Sequence, residues 1–272
     1  MELYEEILRL KRAGVKSALA TIVNVRGSIP SYESAKLLVR EDGSIFGTVG
    51  GGCVEAEVWT VAREVMEQEK PRRLTFNLNN DPAYDTGLLC GGTLEVFVEP
   101  ILPTPTVYIF GAGHVSQALS KVAVMAGFET VVIDDRETYA NRERFPEARE
   151  VHAGDFDEVC AKLAPNSLSY LIAVTRGHKD DMRVLRWAAG TEAKYVGMIG
   201  SKRKVIEITK FLEEKEGISA AKLAEVHAPI GLEIGAISPE EIAISIVAEM
   251  IAVRRHALGD SPVKTKSILA VS

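Results

Sequence analysis

The chain has 272 residues, 46% of them hydrophobic. A chain of this length predicts two domains, each with a core that needs neither a disulfide nor a structural metal. The formal net charge of −6 weighs against nonspecific binding to DNA, RNA or anionic lipid, and the one basic cluster, Lys202-Arg203-Lys204, reads as a solvated helix start. Three cysteines, Cys53, Cys90 and Cys160, without a Cys-x-x-Cys pair, exclude a disulfide framework and a zinc ribbon and fit a reducing, cytoplasmic setting. The amphipathic start MELYEEILRLKRAG lacks the basic and apolar regions of a signal peptide, and no apolar run reaches the roughly 18 residues of a membrane span.

In chain order, Leu3 to Arg12 has helical spacing and stops at Gly14. Ser17 to Val25 reads as a strand and Arg26-Gly27-Ser28-Ile29-Pro30 as a turn. Ala35 to Arg40 and Ser44 to Val49 flank Asp42-Gly43, a hairpin signal. A helix follows over Val54 to Gln68, then strands over Arg73 to Leu78 and Thr93 to Val98. Residues 1–100 thus read as a small α+β domain with a mostly antiparallel sheet. Glu99 to Pro105 holds three prolines, and 101–105 reads as a stiff linker.

Residues 106–272 alternate strand and helix. Strands are predicted over Val107 to Phe110, Glu129 to Ile133, Val151-His152, Tyr170 to Val174 and Tyr195 to Ile199. Helices are predicted over Val115 to Ala126, Asp157 to Leu163, Met182 to Ala189 and Lys202 to Lys215. Ser238-Pro239-Glu240-Glu241 starts a further helix, with a capping serine, proline at its first position and glutamate at its third. Alternation of this kind predicts a parallel sheet covered on both faces. The fold class is therefore α/β, a Rossmann-type C-terminal domain joined to a smaller N-terminal α+β domain.

Four segments carry chemistry. Phe110-Gly111-Ala112-Gly113-His114 follows a strand and opens a helix, so Gly111 and Gly113 allow a close approach to a pyrophosphate and His114 sits within reach of a ligand. Asp134, about 20 residues on, stands where a carboxylate meets ribose hydroxyls; Ser116 replaces the third glycine, and a purely structural turn fits the same letters. Gly50-Gly51-Gly52-Cys53 precedes a helix: the glycines offer backbone donors to an anion, and a cysteine at a helix start favours thiolate, the form that binds soft metals or carries sulfur. A tight turn explains that segment equally well.

Leu89-Cys90-Gly91-Gly92 places a second thiol beside glycines, whereas Cys160 lies on a helical apolar stripe and reads as core. Thr175-Arg176-Gly177-His178-Lys179-Asp180-Asp181 follows an apolar strand, so His178 and Asp181 lie where doubly wound sheets bind ligands; an Asp-capped surface loop is the plainer alternative. His227, in a Pro/Gly loop, borders the same crevice on this reading. Arg26 and Lys36 are candidate contacts to an anion or ordinary surface charges.

Taken together and in order, Arg26-Gly27-Ser28, Lys36-Leu37-Leu38-Val39, Gly50-Gly51-Gly52-Cys53 with Glu55, Cys90-Gly91-Gly92-Thr93-Leu94-Glu95, the turn at Gly111, Thr175-Arg176-Gly177-His178, Tyr195 to Ser201 and His227 to Ala236 resemble the XdhC/CoxI family of accessory proteins. The resemblance implies a maturation factor rather than an enzyme. It would bind molybdenum cofactor, assist exchange of an oxo ligand for sulfur, and deliver the cofactor to a xanthine dehydrogenase-type molybdenum hydroxylase. The partners implied are that client, a cysteine desulfurase and a second copy in a homodimer. Within that reading Cys53 and Cys90 are candidate carriers of molybdenum or sulfur. The Rossmann-type half takes a nucleotide-bearing form of the cofactor, NAD(P), or no ligand. An NAD(P)-dependent oxidoreductase is the competing reading, without an evident Tyr-x-x-x-Lys pattern to support it; a structural protein that only scaffolds the hydroxylase is the third.

Overall fold

The computed structural model describes residues 2–28, 31–78 and 91–258. The chain divides into two compact units with the boundary between Pro103 and Thr104.

The first unit contains α1 (Leu3–Arg12), β1 (Ser17–Ser28), β2 (Lys36–Arg40), β3 (Ile45–Gly47), α2 (Gly52–Gln68), β4 (Arg72–Asn77) and β5 (Gly91–Ile101). The strands form one antiparallel sheet in the order β3-β2-β1-β5-β4. Side chains alternate across a strand, and the two faces of β1 are covered separately. Ala18, Ala20 and Ile22 pack with Val54, Val58 and Val65 of α2, while Leu19 packs with Ile7 and Leu10 of α1. Glu6, fully buried, fastens α1 to the sheet through Arg40 of β2, Nε to Oε1 at 2.7 Å, and is also paired to Arg9. Gly43, at φ +83°, turns the β2–β3 hairpin, and its carbonyl accepts the Trp59 indole N–H at 2.7 Å.

Two expectations about this unit change. Arg26, Gly27 and Ser28 are not a turn; they continue β1, opposite Thr93, Gly92 and Gly91, after a bulge between Ile22 and Asn24 restores the pairing. β5 likewise runs through Glu99 and Pro100 to Ile101, into the predicted linker. β4 ends opposite Val98, so at Pro100 the strand has β1 as its one ladder neighbour and tolerates a residue without an N–H.

The second unit contains β6 (Thr106–Phe110), α3 (His114–Met125), β7 (Glu129–Asp134), β8 (Glu150–Ala153), α4 (Phe156–Cys160), β9 (Ser169–Ala173), α5 (His178–Ala188), β10 (Tyr195–Met198), α6 (Lys202–Glu216), α7 (Ala220–Ala224) and α8 (Pro239–Arg254). Its sheet is entirely parallel, in the order β10-β9-β6-β7-β8. Counted within the unit and read from β8 this is 3-2-1-4-5, the order of a Rossmann-type sheet. Both faces are covered, which is why every residue of β6 and β9 is buried and all but the first of each is apolar or aromatic. Val107, Ile109, Tyr170 and Ile172 pack with Leu119 of α3 and Ile246 and Met250 of α8. Tyr108, Phe110, Leu171 and Ala173 pack with Val184 and Leu185 of α5 and Val205 of α6. The predicted capping box of α8 is present: the Ser238 hydroxyl accepts the Glu241 N–H, and the Glu241 carboxylate accepts that of Ser238. Residues 227–231 run alongside β10, bonded through His227 and Ile230 to Val196 and Met198.

Candidate functional site at the switch point of the parallel sheet

β6 and β9 are adjacent, yet their helices leave toward opposite faces, α3 into one core and α5 into the other. Such a reversal opens a crevice at the carboxyl ends of the strands. Gly111 lines it by necessity: its φ is +107°, and a Cβ there would lie 2.4 Å from the Val174 carbonyl oxygen. Gly113 is different, because a Cβ there would meet nothing within 4 Å. It begins α3, followed by the exposed His114; Ser116, in the third-glycine position, is buried in the helix packing.

Among the helices that start at the carboxyl ends of the strands, those after β6 and β9 stand apart. Asp155, Ser201, Ser219 and Ser238 cap α4, α6, α7 and α8 with side-chain hydrogen bonds. The helices that follow β6 and β9 start instead at Gly113 and Gly177 with no side-chain cap bond. The first-turn N–H groups of α3 and α5 therefore keep their appetite for an external acceptor, and both helix dipoles favour negative charge there. His178 opens α5 and is exposed, as is Arg176 before it.

Asp134 does not stand open for a ribose. It is buried, and its carboxylate is saturated by the protein: Oδ2 accepts the Ala112 N–H at 2.7 Å and Arg136 Nη2 at 2.9 Å, and Oδ1 accepts the Arg136 backbone N–H at 3.0 Å and its Nε at 2.8 Å. Burial raises the carboxyl's pKa, but the Arg136 guanidinium and the two backbone donors outweigh it and hold the group below the usual carboxylate range. Asp134 thus fixes the glycine turn. Beside it Asp135 accepts from Arg176 at 2.7 Å, an ion pair from the end of β7 to the loop after β9. Because β6 lies between those strands, the pair passes over the end that carries Gly111. Arg144 adds a third guanidinium: it donates to the Ala112 carbonyl at 3.3 Å, and Arg136 and Arg144 both lie over the Tyr139 ring.

Asp181 is fully buried. It accepts the Thr175 hydroxyl at 2.7 Å and is ion-paired to Lys204 of α6. Burial pushes its carboxyl above the ordinary value against the pull of Lys204 and Thr175. Lys204 is therefore not part of a solvated cluster: its side chain is 15% exposed, and its Nζ also donates to the Ile199 carbonyl at 3.2 Å. The sequence gives no warning of this, since Lys202 and Lys204 differ only in register.

His227 does not border the crevice through its side chain. Its ring stacks on Tyr195 at 4.4 Å, with Nδ1 3.4 Å from Oε1 of the fully buried Glu249 of α8. The other oxygen of Glu249 accepts the Tyr195 hydroxyl and, at 2.9 Å, the Gly231 N–H.

In the first unit Gly50, Gly51 and Gly52 all have positive φ and lead into α2, with Cys53 exposed in its first turn. Part of the expected anion cradle is already used. Glu55 Oε1 accepts the Val49 and Gly51 N–H groups at 3.1 and 3.0 Å, and Thr48 Oγ1 accepts that of Gly50 at 3.1 Å. Glu55, named above only as part of the family motif, is thus the internal acceptor for this loop. Arg26 is exposed, and Lys36 Nζ donates to the Ser34 carbonyl at 3.1 Å. Cys90 lies outside the described residues. Among those described, no group of three or more His, Cys, Asp or Glu is placed to hold a metal ion. Cys160 is core, as expected, and burial pushes its thiol up to about 12.

Fold and crevice define an α/β protein whose parallel-sheet unit presents two uncapped helix starts at its switch point. Residues 107–250 match the XdhC Rossmann domain and residues 10–77 match the XdhC and CoxI family, so the chain belongs to the XdhC/CoxI family. Uncharacterized protein YqeB of Escherichia coli (strain K12) is 34% identical over 95% of this chain, which spans 47% of that protein. The chain thus covers about half of that relative and most of two others. One is a probable xanthine dehydrogenase subunit of Bacillus subtilis (strain 168), 22% identical over 89% of this chain and 94% of that protein. The other is the Molybdenum cofactor insertion chaperone PaoD of Escherichia coli (strain K12), 26% identical over 92% and 87%. A crystal structure described as a xanthine dehydrogenase from Bacillus halodurans shares the fold, with a TM-score of 0.52 at 24% identity over 96% of this chain and 98% of that one. Among the described residues no helix is long and apolar enough to cross a membrane.

Proposed function

We propose that the chain binds molybdenum cofactor as cargo, assists its sulfuration and delivers it to a xanthine dehydrogenase-type hydroxylase in the cytoplasm, with a cysteine desulfurase as sulfur source. Family membership supports the class of role. The names of two relatives, a cofactor insertion chaperone and a xanthine dehydrogenase subunit, point to the cargo and the client. The structural observation that carries it is the pair of uncapped helix starts at Gly113 and Gly177. The residues fit a phosphate-bearing ligand: backbone donors of α3 and α5, open space over Gly113, and Arg176, His114 and His178 at the rim. Cys53 and Cys90 are the thiols assigned to molybdenum or sulfur. The arrangement favours cargo binding over hydride transfer, because Asp134, the residue an NAD(P) reading needs for ribose, is spent on Ala112 and Arg136.

The test is to express the chain in a host that makes molybdenum cofactor, purify it without oxygen and quantify molybdenum, pterin and nicotinamide per chain. Near-stoichiometric pterin with molybdenum is the expected result. Nicotinamide without pterin would replace this reading by the oxidoreductase one. Retention unchanged in both Cys53→Ala and Cys90→Ala would remove the thiols from the proposal.

A further inference from the structure

Arg136, Arg144 and Arg176 all stand at the Gly111 crevice, and they are not equivalent. Arg136 is spent on both oxygens of Asp134. Arg176 is paired with Asp135 at 2.7 Å. Among the described residues no carboxylate pairs with Arg144. Its Nη2 makes two long bonds to neutral acceptors, the Ala112 carbonyl at 3.3 Å and Gln117 Oε1 at 3.4 Å. Nε is enclosed without an acceptor, which is costly for a charged donor, and Nη1 is likewise unspent.

The chain holds this half-buried guanidinium in place. The Arg144 N–H donates to Asn141 Oδ1 at 3.0 Å, and its carbonyl accepts Gln117 Nε2 of α3 at 3.2 Å. The Tyr139 ring centre lies 5.0 Å from the guanidinium carbon. The bond to Ala112 sets the fork against the glycine turn, one residue before Gly113.

That position is electrostatically adverse unless an anion joins it. A helix start carries partial positive charge and disfavours a cation beside it. Among the described helices α3 alone begins with neither a side-chain cap nor an acidic residue in its first turn. The start of α5, also uncapped, has Asp180 and Asp181 there. The start of α3 has open space over Gly113 and, beside it, an arginine with donors to spare. A phosphate would neutralise both features, and the planar fork suits its oxygens.

We propose that Arg144 is the specificity-determining residue of the crevice: its Nη1 meets the ligand's phosphate while the first-turn N–H groups of α3 hold the same group. The inference rests on the reading of this crevice as the cargo's phosphate site, and it adds the side chain that selects for the phosphate.

The test is calorimetry on the full chain with inorganic pyrophosphate as the probe. Saturable binding by wild type, weakened by Gly113→Ala, is expected. Arg144→Gln should weaken it at least about tenfold, and with one charge fewer its affinity should fall less steeply with added KCl. Arg142→Gln removes an arginine of the same loop that is bonded to the Ala148 and Arg149 carbonyls instead; it should change the affinity less than about twofold. Absence of saturable binding, or binding indifferent to Gly113→Ala, would overturn the crevice reading and this inference with it. Binding that Gly113→Ala weakens but Arg144→Gln leaves unchanged would overturn the inference alone. An equal loss in Arg142→Gln, or a salt dependence unaltered in Arg144→Gln, would do the same. Should Arg144→Gln not fold, Arg144→Lys keeps the charge but loses the fork; it should bind at least about threefold more weakly, and wild-type affinity there would overturn the proposal.

Discussion

The Asp134 carboxylate accepts the Ala112 N–H at 2.7 Å, so the acid at the end of β7 holds the glycine turn at the end of β6. Asp134→Ala should strip a buried donor and the Arg136 guanidinium of their partner at once, costing about 1–3 kcal/mol. Urea denaturation of the two proteins measures this. The sign with pH follows from a pKa depressed in the folded state: the contribution is present above the ordinary carboxylate value and is lost as pH falls through the folded one. The gap between wild type and Asp134→Ala should therefore narrow in acid. A variant as stable as wild type that loses only nicotinamide binding would return Asp134 to the ribose role.

Lys204 and Asp181 form a second pair at the same end of the sheet. Removing one partner of a buried ion pair leaves an uncompensated charge, worth about 3–5 kcal/mol, so Lys204→Met should be markedly destabilised. Asp181 already has a raised pKa, and loss of Lys204 raises it further. Stability of the variant should then be best below the ordinary carboxylate value and fall as pH rises through the folded one. The double variant Lys204→Met with Asp181→Leu should recover much of the loss. Independent, additive effects in that cycle would show that the two residues do not interact.

These two pairs also mark where sequence reading stops. The apolar runs of β6 and β9, the stripe of α8 and its Ser238-Pro239-Glu241 start are periodic or local signals, and the structure has those elements where they point. Asp134 is legible as a position, but its partner Arg136 is two residues away and looks like any surface arginine. Lys204 needs the parallel sheet to bring α6 beside α5 before it can meet Asp181. Glu55 hides in plain view, because a carboxylate in the first turn of α2 reads as dipole compensation rather than as the acceptor for Val49 and Gly51. Glu249 is the extreme case, an acid inside an apolar helix whose reason lies with Tyr195 and His227. Local order was legible; the polar contacts that link distant segments were not.

In the first unit the Glu6 carboxyl is pulled from its ordinary 4.5 to about 2, first by Arg9 and then, against burial, by Arg40. Its folded pKa is depressed, so its contribution is present above about 4.5 and fades as pH falls toward 2. Glu6→Gln should lower the urea midpoint at pH 7 and differ little from wild type near pH 2. An undiminished difference in acid would mean that the amide disturbs packing rather than charge.

Gly111 and Gly113 stand two residues apart and separate a structural role from a binding one. Gly111→Ala forces a side chain onto φ +107° and into the Val174 carbonyl oxygen. The backbone strain alone costs about 1–3 kcal/mol, and the overlap adds to it, so this variant should melt well below wild type. Gly113 has φ −75° and open space ahead of it, so Gly113→Ala should cost about 1 kcal/mol or less, the usual penalty of alanine at a helix cap. Its methyl group, however, enters the space in which an anion would approach the first-turn N–H groups of α3. If cargo binds there, Gly113→Ala purified from a cofactor-producing host should retain at least tenfold less pterin than wild type while melting close to it. Full retention by Gly113→Ala would place the cargo elsewhere and leave the glycine turn a purely structural element.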